Sequence, residues 1–303
     1  MKLENIHNIL IVGAGTMGQQ IALQCAMHNF TVKLYDIKAE ALATAQARIE
    51  VYAQDIAANG WRTAGEMQDA LARISTTTDP AEAAAGAHLL SESIPENPAL
   101  KGKVFAQFNL LCPAETIFTT NTSSLVPSMI ARTTGRPERF AAMHFHTTVW
   151  ISNVMDVMPH PGTAPEIMEI LEGFGRRIGQ IPIVLKKENH GYVFNAMLNA
   201  LNTAAITLAA NDVATPEDID RAWMGVMKMP IGPMSILDGV GLDTVWEITN
   251  YWAGVTRDPQ LQANADYLKE NFIDQGKLGV KSGQGFYTYP NPAYTKTDFL
   301  PKP

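Results

Sequence analysis

A glycine-rich motif near the start of the chain has the residue types and the spacing of a dinucleotide-binding loop. An apolar run, 9–12, is followed at once by Gly13-Ala14-Gly15-Thr16-Met17-Gly18, where a helical pattern begins. In such a motif the first glycine makes a tight turn, the second lets backbone amides approach a pyrophosphate, and the third lets the helix pack closely on the strand. All six residues are therefore predicted to bind a cofactor.

A carboxylate follows at the position where such a loop selects its cofactor. A second apolar run ends at Tyr35, and Asp36 comes next, 18 residues beyond Gly18. There a carboxylate accepts hydrogen bonds from the ribose hydroxyls and repels the 2′-phosphate of NADP. NAD is therefore the predicted cofactor. FAD, which uses the same glycine motif, is the alternative, but the second half of the chain contains no recognisable second flavin-binding segment.

The elements that must position these residues follow from the hydrophobic pattern. Apolar runs that predict strands are 9–12, 31–35, 88–94, 116–120, 141–145, 154–158 and 181–185, with helical patterns between them at 38–58 and 101–111. After residue 185 we find helical patterns only, at 195–210, 216–227, 243–253 and 259–272. We predict an α/β fold with an N-terminal doubly wound, Rossmann-type sheet (1–187) and an all-helical C-terminal domain (188–303).

Four further motifs resemble, in order and spacing, the signatures of the L-3-hydroxyacyl-CoA dehydrogenase family. They are Asn121-Thr-Ser-Ser-Leu125, Phe140-Ala-Ala-Met-His-Phe145, Gly191-Tyr-Val-Phe-Asn195 and Lys281-Ser-Gly-Gln-Gly-Phe-Tyr287. With the glycine loop, the resemblance covers nearly the whole chain. It implies an NAD-dependent oxidoreductase that interconverts 3-hydroxy and 3-keto groups of acyl substrates.

The resemblance also implies a histidine–carboxylate pair as the acid/base. Removing a hydride from a secondary alcohol requires a group that takes the hydroxyl proton, and histidine titrates near neutrality. His144 lies in the family's His-Phe motif, and Asp156 lies twelve residues later in the next apolar run, where a carboxylate needs a partner. The family usually has glutamate here, so the shorter aspartate predicts a longer or water-bridged contact. A structural core histidine beside a surface aspartate is the alternative.

Five more site residues are implied by the matched motifs. Ser123 would donate a hydrogen bond to the substrate oxygen, and Asn195 would stabilise charge on that oxygen. Glu96 and Lys101 match family residues that border the nicotinamide ribose, and Lys281 matches another residue near the cofactor. A turn serine and a helix-capping asparagine are the structural alternatives for the first two.

The segment that binds CoA in the family is altered here. In the family, lysines of a helical hairpin meet the acidic groups of CoA, but this chain has no lysine between Lys38 and Lys101, and residues 47–76 contain three arginines against four acids. The family's His-Phe-Phe-Asn-Pro signature reads His144-Phe-His-Thr-Thr, with Thr147 in place of asparagine. Three other segments instead resemble the diketoreductase branch of the family: Val149-Trp150 with Asn153, Leu185-Lys-Lys-Glu188, and residues 267–277. This resemblance implies a free or esterified keto acid or a diketone as substrate. CoA binding through the three arginines is the alternative.

Two other protein classes share the glycine motif or the family resemblance. The 6-phosphogluconate and hydroxyisobutyrate dehydrogenases place a catalytic lysine one turn before the helix asparagine, and residues 192–200 contain no lysine. Lambda-crystallin resembles the family and accumulates as a structural protein of the lens. The presence of Ser123, His144 and Asn195 favours an enzyme over that alternative.

Composition excludes several kinds of partner. The net charge of −7, without a run of five basic residues, argues against nucleic acid, and no apolar stretch approaches the ~20 residues that cross a membrane. Cys25 and Cys112 form no disulfide or metal-binding pattern, so we expect no metal and a reducing, cytoplasmic location. A homodimer is implied by the family and by the apolar helices of the second domain. No role follows for His146, His160 and His190, which we expect to be structural or solvated.

Overall fold

The structure is a computed structural model that describes residues 1–300, and these form two compact units. The first unit is Met1–Val193, and the second begins at Phe194, six residues beyond the division predicted from the sequence. Residues 188–193 belong to the first unit because they form hydrogen bonds with it. Glu188 Oε1 accepts from the Ser128 amide at 2.5 Å, and the Tyr192 hydroxyl donates to a backbone carbonyl in the motif 121–125 at 2.6 Å.

One eight-stranded sheet forms the centre of the first unit. Its strands are β1 (Asn8–Val12), β2 (Thr31–Tyr35), β3 (Ile74–Thr77), β4 (Leu89–Glu92), β5 (Ile117–Thr120), β6 (Phe140–Phe145), β7 (Val154–Met158) and β8 (Ile181–Val184). They are ordered β3-β2-β1-β4-β5-β6-β7-β8. The predicted doubly wound sheet is thus confirmed. β3 is absent from the predicted strands because its four residues include three hydroxyl side chains and no apolar run.

The sheet reverses direction once among the described strands, between β6 and β7. Only residues 146–153 join these two strands, too few for the helical crossover that a parallel pair needs, so the strands run antiparallel. The sequence pattern did not predict this reversal. Its register places His144 directly opposite Asp156, which brings the two side chains to one face of the sheet.

Helices cover both faces of the sheet. They are α1 (Thr16–Met27), α2 (Ala39–Ala58), α3 (Ala64–Ala72), α4 (Pro80–Ala84), α5 (Pro98–Leu111), α6 (Ser128–Ala131) and α7 (Pro165–Arg177). Side chains alternate across a strand, so Ile9 and Ile11 of β1 pack in the core beneath α1, α2 and α7, whereas Leu10 and Val12 pack in the core beneath α4 and α5. Burial on both faces explains why the central strands appear as continuous apolar runs.

The second unit is helical, as predicted. It contains α8 (Phe194–Ala210), α9 (Pro216–Met227), α10 (Pro233–Val240), α11 (Leu242–Thr256) and α12 (Pro259–Asn271). α10 is absent from the predicted helices; it has only eight residues and lies between Gly232 and Gly241. Within residues 1–300, no helix is long and apolar enough to cross a membrane.

Two buried carboxylates anchor the C-terminal motif within the second unit. Asp220 accepts hydrogen bonds from the Met234 amide at 2.8 Å and the Tyr287 hydroxyl at 2.9 Å. Asp238 accepts from the amides of Phe286 and Tyr287, both at 2.9 Å. Burial raises the pKa of both carboxyl groups above the usual value. The end of the motif 281–287 therefore has a structural role.

Candidate active site

The glycine loop lies at the carboxyl end of β1 and begins α1. Gly13 has φ +105°, and a Cβ there would lie 2.6 Å from the Ser93 carbonyl oxygen; a Cβ on Gly18 would overlap the Gly13 carbonyl oxygen. A Cβ on Gly15, in contrast, would meet no atom of the described chain within 4 Å. The fold thus requires the outer two glycines. The absence of a side chain at Gly15 leaves the backbone open to a ligand. The first helical residues, Thr16 and Met17, follow it, and their amides can bind a phosphate.

Asp36 connects the end of β2 to the glycine loop. Its Oδ2 accepts a hydrogen bond from the Ala14 amide at 2.9 Å, and its Oδ1 accepts from the Lys38 amide at 3.0 Å. The side chain is half-buried. Because a carboxylate offers about four acceptor positions, it can still accept hydrogen bonds from a ribose.

His144 lies between a carboxylate and a hydroxyl. Its Nδ1 is 3.3 Å from Asp156 Oδ2, and its Nε2 is 3.3 Å from Ser123 Oγ. With the proton of Nδ1 directed at the carboxylate, Nε2 carries the lone pair and can accept a proton on the side of Ser123. The His144–Asp156 separation exceeds the 2.7–2.9 Å typical of charge-assisted hydrogen bonds.

His146, which the sequence analysis left without a role, faces the same carboxylate. Its Nε2 lies 3.3 Å from Asp156 Oδ2. Burial acts to raise the pKa of the Asp156 carboxyl, but the two histidines that face it hold this pKa below its usual value. The sequence could have indicated this contact, because side chains two residues apart, such as 144 and 146, point to the same side of an extended chain.

These three side chains are also of the types that bind metal ions. His144, His146 and Asp156 each offer one ligand atom, and the three atoms lie within 4.8 Å of one another. The expectation that the chain uses no metal therefore stays a prediction.

Tyr192 packs on the face of the His144 imidazole. The two rings are stacked, with centroids 4.6 Å apart and planes 9° from parallel. The Tyr192 hydroxyl donates to the Thr122 carbonyl, next to Ser123. No role was predicted for this tyrosine from its motif. In the structure Tyr192 limits the movement of the imidazole and links it to the turn at residues 121–125, called the serine turn below.

Glu96 contacts the backbone of the serine turn, and Lys101 holds Glu96 in place. The Lys101 ammonium is buried and contacts Glu92 Oε1 at 2.6 Å, the Ile94 carbonyl at 3.1 Å and Glu96 Oε2 at 3.2 Å. These contacts occupy its three N–H donors. Glu96 Oε1 in turn accepts from the Ser123 amide at 2.8 Å. Their predicted contact with the nicotinamide ribose stays a prediction.

Asn195 and Lys281 belong to the second unit. Asn195 is the second residue of α8 and is half-buried, and the Lys281 ammonium lies 2.5 Å from Asp243 Oδ2. Their predicted roles toward substrate and cofactor stay predictions. His160 is structural, because its Nε2 lies 2.8 Å from the Pro137 carbonyl.

Comparison with known proteins identifies the family. Residues 8–189 match the family described as 3-hydroxyacyl-CoA dehydrogenase, NAD binding domain, and residues 191–289 match the 3-hydroxyacyl-CoA dehydrogenase C-terminal domain. Human mitochondrial hydroxyacyl-coenzyme A dehydrogenase is 32% identical, over 94% of this chain and 91% of its own length.

Two solved structures share the fold over almost their full lengths. One is a diketoreductase, described as a catalyst of substrate-directed dual catalysis of dicarbonyl compounds; it is 41% identical with a TM-score of 0.86, over 94% of this chain and 99% of the other. (S)-3-hydroxybutyryl-CoA dehydrogenase from Ralstonia eutropha is 29% identical with a TM-score of 0.86, over 95% and 100%. The chain therefore belongs to the 3-hydroxyacyl-CoA dehydrogenase family and is an NAD-dependent oxidoreductase that acts on a CH–OH group.

Proposed function

We propose that His144 is the general acid/base of hydride transfer between NAD and a 3-hydroxy or 3-keto substrate. In the oxidising direction, His144 Nε2 accepts the proton of the substrate hydroxyl. NAD⁺, when held at the glycine loop, would supply the acceptor for the hydride from the carbon that carries this hydroxyl. Ser123 Oγ, 3.3 Å from Nε2, donates a hydrogen bond to the substrate oxygen. Asp156 offsets the positive charge that forms on the imidazole.

We further propose that the preferred substrate is a free or esterified keto acid or a diketone, and not a CoA thioester. The observation that carries this proposal is the placement of the arginines of the α2–α3 hairpin. Arg62 and Arg73 line a cavity at the carboxyl end of α1, together with His28. Arg62 Nη2 lies 3.4 Å from His28 Nε2, and Arg73 Nη1 donates to the Asp69 carbonyl at 2.6 Å.

With Arg62 and Arg73 in this cavity, few positively charged side chains of the hairpin remain to bind the phosphates of CoA. The twelve residues of α1 span about 18 Å, so the cavity lies that far from the glycine loop. Of the three hairpin arginines, Arg48 alone is outside this cavity. The comparison supports the same substrate class, because the diketoreductase structure shares 41% identity with this chain, against 29–32% for the two CoA dehydrogenases described above.

The test compares three substrates with NADH at fixed pH. We expect kcat/KM for a 3,5-diketo ester or acetoacetate to exceed that for acetoacetyl-CoA. A preference of tenfold or more for the CoA thioester, about 1.4 kcal/mol of transition-state binding, would refute the proposal. As a matched control, Arg48→Ala and Arg62→Ala should leave kcat/KM for all three substrates unchanged.

We also propose a homodimer formed through the second unit. Six large apolar side chains there are each more than half exposed: Met197, Val213, Val226, Met227, Tyr251 and Val255. Large exposed apolar surface is typical of an interaction site, and a two-fold dimer is the commonest oligomer. Light scattering at micromolar protein should give twice the mass of one chain; the mass of a single chain would reject the dimer.

We propose the cytoplasm as the location. Cys25 and Cys112 are both buried and form no disulfide, and burial raises the pKa of both thiols, to about 11 for Cys112. Such protonated, enclosed thiols are typical of a reducing compartment. Cell fractionation would test this, and recovery in an organelle fraction would reject it.

A further inference from the structure

One buried carboxylate, Asp156, faces two imidazoles. Its side chain is 1% exposed, and its Oδ2 lies 3.3 Å from both His144 Nδ1 and His146 Nε2. Its Oδ1 has no hydrogen-bond partner among residues 1–300. The family signature described above has phenylalanine at position 146 and usually glutamate at 156. The two residues in which this chain differs from that signature, His146 and Asp156, therefore contact each other.

The strand register explains why His146 reaches the carboxylate. His144 and Asp156 are directly opposite each other in the antiparallel β6–β7 pair. Residue 146 follows on the same side two positions later, which makes it the diagonal neighbour of 156, and long side chains reach across such diagonals.

The backbone after β6 is held in place. Gln20 Oε1 accepts hydrogen bonds from the amides of Thr148 at 2.7 Å and Val149 at 3.2 Å. Thr148 adopts φ +59°, which a residue with a branched side chain adopts only when its surroundings impose it. His146 lies two residues before Thr148, so these hydrogen bonds also fix the backbone that directs its side chain toward the carboxylate.

We infer that His146 is a positioning residue for the reaction, which it serves by holding the Asp156 carboxylate against His144. This inference rests on the proposed role of His144 as the acid/base. An aspartate is one methylene shorter than a glutamate, so it reaches less far toward the imidazole it must orient. The carboxylate has a hydrogen bond to one imidazole, His144, and the second imidazole adds an electrostatic contact at ion-pair distance, 3.3 Å.

A metal ion is the competing use of the same three side chains. A divalent cation on Nδ1 of His144 would displace the proton that Asp156 accepts, and it would place positive charge beside the imidazolium that the reaction forms. The proton-transfer role of His144 therefore favours the carboxylate as its partner.

The test is a double-mutant cycle that restores the family pair. His146→Phe and Asp156→Glu are made singly and together, and kcat is measured at saturating NADH with the best of the three substrates above. Each single variant should lose about tenfold or more in kcat, the first because the short carboxylate is no longer held and the second because the longer side chain meets His146. The double variant should recover to within about threefold of the parent enzyme, because the two changes compensate.

Two further measurements separate positioning from a merely structural role. His146→Gln keeps an N–H donor and should retain more kcat than His146→Phe at an equal melting temperature. The dissociation constant for NADH should stay unchanged in every variant. A purely structural role would instead lower the melting temperature in parallel with kcat.

Three outcomes would overturn the inference. They are a kcat of His146→Phe within twofold of the parent, a double variant slower than either single variant, and activity that is lost on dialysis against EDTA and restored by Zn²⁺. His144→Ala separates this inference from the proposed function. If that variant keeps its turnover, the proposed base is wrong; if it loses turnover while His146→Phe does not, only the role of His146 is wrong.

Discussion

Asp36 offers the sharpest test of the cofactor site, through the substitution Asp36→Asn. The carboxylate accepts two backbone hydrogen bonds, from Ala14 at 2.9 Å and Lys38 at 3.0 Å. An asparagine of the same shape keeps one acceptor oxygen and turns an amide group toward the other N–H. One hydrogen bond at a half-buried side chain is lost, so the free energy of unfolding should fall by about 1 kcal/mol and the fold should survive.

The effect on cofactor choice follows from charge. A carboxylate about 4 Å from one negative charge of a 2′-phosphate is disfavoured by about 4 kcal/mol at an effective dielectric of 20. Asp36 is half-buried, so solvent screening lowers this figure. Removing the charge should therefore raise kcat/KM for NADPH, and weaker ribose hydrogen bonds should lower it for NADH. We expect the NADH/NADPH ratio of kcat/KM to narrow by about 10²-fold, about 2.7 kcal/mol.

The assay measures initial rates with each cofactor at one fixed substrate concentration. Asp258→Asn is the matched control, because Asp258, like Asp36, accepts a hydrogen bond from the amide two residues later, here Gln260 at 2.8 Å, but lies in the second unit. That control should leave the ratio unchanged. A ratio that moves less than twofold in Asp36→Asn, or equal use of both cofactors by the parent enzyme, would refute the assignment of Asp36 to the ribose.

Three further predictions concern the site and its supports. His144→Ala should lower turnover by about 10²–10⁴ with NADH binding retained, and a loss below tenfold would show that another group is the base. Gly15→Ala should weaken NADH binding, seen by fluorescence titration, at an unchanged melting temperature, whereas Gly18→Ala should lower stability by about 1–3 kcal/mol; equal melting temperatures would contradict this contrast. The Asp156 carboxyl has a lowered pKa in the fold, so its contribution to stability is complete above its ordinary pKa of 3.8 and is lost as pH falls through the folded value. Denaturant titrations of Asp156→Asn should therefore show a shallower loss of stability below pH 3.8 than the parent, and parallel curves would count against it.

The amino-acid sequence by itself predicted the fold class and the location of the cofactor loop. Both depend on short-range patterns. Alternation of residues along β1 directs Ile9 and Ile11 to one core and Leu10 and Val12 to the other. Gly13 must adopt φ +105°, and Gly18 must pack against the Gly13 carbonyl five residues earlier, so both requirements leave a local trace in the sequence. Asp36 was found in the same way, at a fixed distance from that loop.

Only the tertiary structure decided which side chains meet around the candidate base. His146 reaches Asp156 because two strands pair antiparallel in one register, and a slip of one residue would turn both side chains away. Tyr192 stacks on His144 from 48 residues away, and Lys101 directs its donors to Glu92 and its neighbours. These contacts join residues of different strands, helices and loops. No local period or spacing records them, because they arise only when the sheet, its helices and the segment after β8 have packed together.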